Sequence, residues 1–174
     1  LYSCKLMLLK GDSEGALKSI KKIIKKKNQE FWAWALLGDI ISLNDSKKAT
    51  LCYQHAINLS RVPTAVVNVR EKLAKLLTLE SKHPEAVVQI KKALELRKKL
   101  GSNKISNDLS QMINTDWYKE HLNTELPKEL DVSNQIIDII YIEDDLVLKT
   151  GVVENQNKSK KLAYVSFGLD DGAV

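Results

Sequence analysis

The chain has 174 residues, 44% of them apolar and 28% charged, with a net charge of +5. That apolar share is enough for a packed core and excludes wholesale disorder. No apolar run reaches the ~18 residues a membrane span needs, and the opening LYSCKLMLLK lacks the small-residue cleavage site of a secretory leader, so a cytoplasmic protein with no membrane association is expected.

The charge is unevenly placed. Residues 1–104 carry 21 Lys and Arg against 9 Asp and Glu, a balance of +12, whereas residues 105–174 carry 6 against 13, a balance of −7. A basic body that leads into an acidic C-terminal part could attract nucleic acid or an acidic peptide, or be satisfied by the chain's own acidic segment. Cys4 and Cys52 fall inside apolar helical patterns without metal-ligand spacing, as small buried hydrophobes of a reducing compartment do. Because it starts at Leu1 rather than Met, the chain is expected to be a piece of a longer protein.

From the N-terminus onward the pattern is helical and repetitive. Three segments share one spacing of small or apolar, bulky, and small or apolar positions: Ala16, Ile20 and Ile23; Ala49, Tyr53 and Ala56; Ala86, Ile90 and Ala93. The first and last members of each triplet are seven residues apart, which places all three on one helical stripe. The first triplet lies in a helix expected from Gly15 to Lys27, whose own partner helix is cut short by Leu1. The charged run around it sets Lys18, Lys22 and Lys25 on an outward face opposite Ile20, Ile23 and Ile24. A helix from Glu30 to Asn44 precedes the second triplet and carries Trp34, Leu37, Gly38 and Ile41. Gly38 would let two helices cross closely, and the NDS that ends before Lys47 supplies turn and cap chemistry. The third unit keeps Leu73, Ala74 and Leu77, with Arg70 at the position held by Trp34 in the second unit, and Pro84 opens its second helix.

The run of Trp34, Leu37 and Gly38 followed by Ala49, Tyr53 and Ala56 resembles the tetratricopeptide repeat, and the resemblance covers residues 1–100. It implies a mainly α fold: an α-α superhelix of about three repeats, with the first helix of each pair lining a groove. The groove positions so implied are Lys5, Trp32, Ala35, Asp39, Asn68, Glu71 and Lys75. A subgroup of that family grips a peptide's terminal carboxylate with Lys and Asn at these places. This chain has Ala35 and Asp39, then Glu71 and Lys75, so that clamp is incomplete. Trp32 is the groove anchor expected on chemical grounds, because aromatic side chains dominate interface energetics.

After Leu100 the GSN triplet breaks the pattern, and a capping helix is expected from Asn107 to Leu122, with Leu109, Met112, Ile113 and Trp117 on one side. Pro127 stops helix, and the Ile-rich NQIIDIIYIEDD reads equally as strand or short helix. The expected organisation is therefore repeats over 1–104, a capping helix and acidic linker over 105–145, and a β segment over 146–174.

That last segment pairs LVLKTGVV with KLAYVSFG across ENQNKSK, a hairpin signature. The segment resembles the cold-shock family of OB-type barrels, which shows G-x-V, then an Asn, then K-G-F-G-F-I: Gly151, Val153, Asn157 and Lys160 stand at the matching positions, and Lys161 to Val165 follow where the second motif belongs. The resemblance implies a partial OB-like barrel that binds RNA or another single strand through Lys158, Lys160, Lys161, Tyr164 and Phe167. The family's aromatic pair is replaced by Asn155 and Gln156, and its next Phe by Leu162, which removes most of the stacking platform. Unpaired strand edges could join two copies into a homodimer.

No catalytic set is present in the sequence. His55, His83 and His121 have no Cys or acidic partner at ligand or triad spacing, and no glycine-rich phosphate loop occurs. The expectation is a protein that is not an enzyme, with no metal or cofactor. It would be a scaffold for a partner protein or peptide or, alternatively, an accessory factor that binds RNA or single strands.

Overall fold

The computed structural model describes residues 2–102, 105–133, 135, 136 and 139, and the backbone of residues 151–156 and 163–167. It divides into two units, Leu1–Ile140 and Tyr141–Val174. The first unit is helical: α1 (Tyr2–Leu9), α2 (Ser13–Lys26), α3 (Phe31–Ile41), α4 (Ser46–Leu59), α5 (Val67–Leu79), α6 (His83–Lys99), α7 (Asn107–Ile113) and α8 (Asp116–Glu120). In the second unit, β1 (Gly151–Gln156) pairs antiparallel with β2 (Ala163–Phe167), in a register that sets Gly151 opposite Phe167 and Asn155 opposite Tyr164.

The helices form successive hairpins: α1 packs on α2, α3 on α4 and α5 on α6, and each pair rests on the next through α2 with α3 and α4 with α5. The helix starts follow local chemistry. Asp12 and Asp45 each accept a hydrogen bond from the backbone N–H three residues on, Gly15 at 2.8 Å and Lys48 at 2.9 Å. Each satisfies one amide that the first turn leaves unpaired. The Lys48 amide, helped by its ammonium, holds the Asp45 carboxyl below its ordinary pKa. At helix ends, Gly11 and Gly101 take positive φ, and Ser81 does so at the end of α5 with φ 59°. A chain reversal there needs the left-handed conformation.

The three triplets point inward. Ala16, Ile20, Ala49, Ala56, Ala86, Ile90 and Ala93 are wholly buried and Tyr53 nearly so, whereas Ile23 is partly buried. Trp34, also in the core, donates from its indole nitrogen to the Asn28 carbonyl at 2.7 Å and meets the His55 ring edge-on at 4.6 Å. Both cysteines are buried and free, and burial pushes the Cys52 thiol up to about 12. Lys18, Lys22 and Lys25 lie on the exposed face of α2.

α1, of 8 residues, packs on α2 as its helical partner. One detail of the expected helices is corrected. The expected helix from Asn107 to Leu122 is broken in two: Thr115 takes an extended backbone and starts α8, and a 3-10 turn follows over His121–Asn123. The break lets Trp117 stack on the His83 ring at 4.6 Å while Tyr118 enters the core against α6.

Gly38 sits directly under the Tyr53 ring, and a Cβ built on it would lie 2.6 Å from the ring carbon Cε1. Tyr53 cannot move away freely, because its hydroxyl donates to Asp39 Oδ1 at 2.8 Å and the ring is buried. Overpacking costs about 1–3 kcal/mol and exceeds the ~1 kcal/mol of helix propensity that alanine gains. Gly38→Ala is therefore expected to lower the urea midpoint and Tm at unchanged helix content, and Tyr53→Leu in the same chain should recover part of the loss.

Candidate interaction surfaces

Two surfaces of the helical unit bring polar side chains together. The first is carried by α3, α5 and α7. Trp32, Ala35 and Asp39 follow one another along α3, and Asn68, Glu71 and Lys75 along α5 at the same spacing. Trp32 is half-buried, its indole donates to Glu30 Oε2 at 2.9 Å, and the Lys27 ammonium stands 5.9 Å from its ring centre. Ala35 is partly buried against the core. Asp39 accepts from Lys72 Nζ at 2.6 Å as well as from Tyr53. Glu71 is buried and pairs with Arg97 at 2.5 Å, and Asn68 accepts from Arg97 at 3.3 Å. Lys75 pairs with Asp108 of α7 at 2.8 Å, and Lys5 is exposed on α1.

Asp39 and Lys72 are 33 residues apart, and so are Lys75 and Asp108. These two pairs tie α3 to α5 and α5 to α7. Both involve partly exposed partners, so each contributes about 0–1 kcal/mol, and their main effect is to fix how the faces line up. Of the residues implied for the groove, those on α3 and α5 therefore share one continuous face. Asp39, Asn68, Glu71 and Lys75 also have partners within the chain.

The second surface gave no local signal in the sequence. After the 3-10 turn, residues 124–132 run without regular secondary structure past α4, α5 and α6. Val132, Ile136 and Ile139 are buried, the last two in the same core as Ala16 and Trp34. The backbone of this strap is held at the Leu130 carbonyl, which accepts from Asn58 at 3.2 Å, and the turn before it at the Leu122 carbonyl, which accepts from Lys91 at 2.7 Å.

The anchor of the strap is Glu129. Its carboxylate accepts from Arg70 of α5 and from Lys92 of α6, and from Gln89 Nε2 at 2.8 Å; Gln89 in turn accepts from Arg70 at 2.6 Å. Arg70 and Gln89 are buried, and the Glu129 side chain keeps 19% of its surface. Burial alone would raise the Glu129 pKa, but hydrogen bonds from Lys92, Arg70 and Gln89 outweigh it and hold the carboxyl below its ordinary value. Beside it, burial keeps the His55 imidazole below its ordinary pKa against the pull of Asp131, and His55 Nδ1 has no hydrogen-bond partner. The strap thus places an acidic group from the negative part of the chain on the basic helical body.

Of the residues implied for nucleic-acid binding, Lys158, Lys160 and Lys161 lie outside the described residues, and Tyr164 and Phe167 are placed by the backbone of β2 alone. Among the described residues no group of His, Cys, Asp and Glu is arranged to hold a metal ion, and no helix is long and apolar enough to cross a membrane.

A carboxyl with a depressed folded pKa stabilises the fold above its unfolded value, and that stability is lost as pH falls through the folded value. The native chain is therefore expected to lose urea stability as pH falls below about 4.5. Glu129→Gln should be less stable at pH 7, by about 1–3 kcal/mol for a charged hydrogen-bond network, and should show a shallower acid loss. Equilibrium unfolding between pH 7 and pH 3 measures both.

No curated protein matches the chain. A family model described as a domain of unknown function, DUF7017, matches residues 1–132, which takes in α1 to α8 and the strap as far as Val132. The chain belongs to the DUF7017 family.

Proposed function

We propose that this chain is a non-catalytic scaffold with tetratricopeptide-like repeats, which binds a partner protein or peptide along the face formed by α3, α5 and α7. The observation that carries the reading is the pair of ion bridges, Asp39 to Lys72 and Lys75 to Asp108, which link α3 to α5 and α5 to α7 along one face. A continuous face needs that alignment to hold an extended ligand across more than one repeat. Trp32 supplies the apolar contact and its Lys27 neighbour a positive rim. Asp39, Lys72 and Lys75 supply charges of both signs that an incoming peptide can engage in place of their present partners.

The incomplete carboxylate clamp favours an internal peptide segment over a free C-terminus. At Ala35 and Asp39 there is no amide or ammonium to receive a terminal carboxylate, and Asp39 would repel one.

A second reading, binding of RNA or single strands by a cold-shock-like module, is supported by the antiparallel pairing of Gly151–Gln156 with Ala163–Phe167 at the expected hairpin. The two readings separate by where substitutions act. Peptides selected from a displayed library against the whole chain are expected to lose at least tenfold in affinity with Trp32→Ala, about 1.4 kcal/mol, and to be weakened by Lys75→Glu, while the helical circular dichroism of both variants is kept. Binders that tolerate both substitutions would overturn the groove reading. Saturable RNA binding that survives near-physiological salt and falls with Tyr164→Ala would support the second.

A further inference from the structure

We infer that the groove between α4 and α6 is a recognition site for a non-helical peptide with a glutamate and, three residues later, a buried apolar side chain, and that residues 126–133 of this chain are its exchangeable occupant in cis. The site is distinct from the α3, α5 and α7 face and does not depend on that reading.

Three features make it a recognition site and not merely a packed turn. First, the polar end is built for one carboxylate: Arg70 and Gln89 are buried, and with Lys92 they converge on Glu129. A buried guanidinium left without an anion is costly, so the groove favours a bound acid over an empty state. Second, the occupant has no regular secondary structure over residues 125–132 and is read through side chains, with a backbone contact from the Leu130 carbonyl to Asn58. Third, the fit is loose. A cavity of about 250 Å³ remains between strap and helices, lined by Leu51, Leu73, Leu77 and Val88. Thr50 Oγ1, buried at its edge, has no hydrogen-bond partner, and Leu130 leaves 68% of its surface in solvent. A competitor with a larger side chain at the position of Leu130 or Pro127 would fill the space that the strap leaves open.

The advantage of the strap is its tether. A covalently attached ligand acts at an effective concentration on the order of 1 mM, so a free peptide of equal intrinsic affinity displaces it only near that concentration. Weakening the strap alone should expose the site. The charge split along the chain suits the same chemistry, because an acidic segment is drawn to a body with a balance of +12 over residues 1–104.

The test uses the full chain, labelled with ¹⁵N, and an unlabelled peptide of residues 126–133, LPKELDVS. In the native chain the peptide should shift the amide signals of residues 128–133 to those of a free segment, with half-effect near millimolar peptide, while the amides of α4 and α6 stay folded. With Glu129→Ala the half-effect concentration should fall at least tenfold, and with Arg70→Met the response should vanish. Should Glu129→Ala prove unfolded, Val132→Ala, at a buried strap position, serves as the weakened strap, and the native-chain displacement stands as an independent readout. Failure of the native strap signals to respond up to several millimolar, or loss of α4 and α6 signals together with them, would overturn the proposal. Displacement that also appears on raising the chain's own concentration would identify the strap of a second copy as the competitor and would support it.

Discussion

A buried guanidinium has to be neutralised, and much of the helical unit follows from that requirement at Arg70. The side chain occupies the position that Trp34 holds in the preceding hairpin. A tryptophan there closes the core by apolar contact and a single hydrogen bond to the Asn28 carbonyl. An arginine brings a charge into the same depth and needs an anion within reach. No carboxylate on α5 or α6 is bonded to it; the partner is Glu129, which lies 59 residues along the chain. To deliver it, the chain must leave α8, drop regular structure and cross the second helices, and this buries Val132, Ile136 and Ile139 along the way. The family match, which runs to residue 132, takes in both ends of this bond.

The opposite side of the unit is organised by weaker forces. Gly38 admits the Tyr53 ring, Tyr53 fixes Asp39, and Asp39 reaches Lys72 on the next first helix. A contact inside one hairpin thereby sets the alignment between hairpins, and the Lys75 pair with Asp108 ties α5 to α7. Exposed pairs of this kind contribute little to stability. Their partners can therefore be exchanged for those of a ligand at small cost, which is what a binding face requires.

How far these features could be read in advance depended on their range along the chain. The inward triplets, the Asp45 cap, the outward lysines of α2 and the close approach at Gly38 are set by neighbours within one or two turns, and local spacing shows them. The break at Thr115 was not visible because Asn107 to Leu122 has a continuous helical pattern, and the demand for the break is tertiary: Trp117 is needed at His83. Arg70 appeared only as a lapse in the repeat, and Glu129 only as one acid among many; a bond over 59 residues leaves no periodic trace. The uneven charge was the one sequence signal of it. The residues expected for the groove lie on α1, α3 and α5, but nothing local in the sequence pairs Asp39 with Lys72 or Lys75 with Asp108, each 33 residues away.

The measurement that bears most directly on this account is a double-mutant cycle for Arg70→Met and Glu129→Gln, followed by urea unfolding at pH 7. If the strap is held by this pair, the two substitutions share one loss, and the coupling energy should be at least about 1 kcal/mol, with the double variant more stable than the sum of the single effects predicts. Effects that add to within about 0.5 kcal/mol would mean that Arg70 and Glu129 act separately, and that the strap is held by its apolar residues alone.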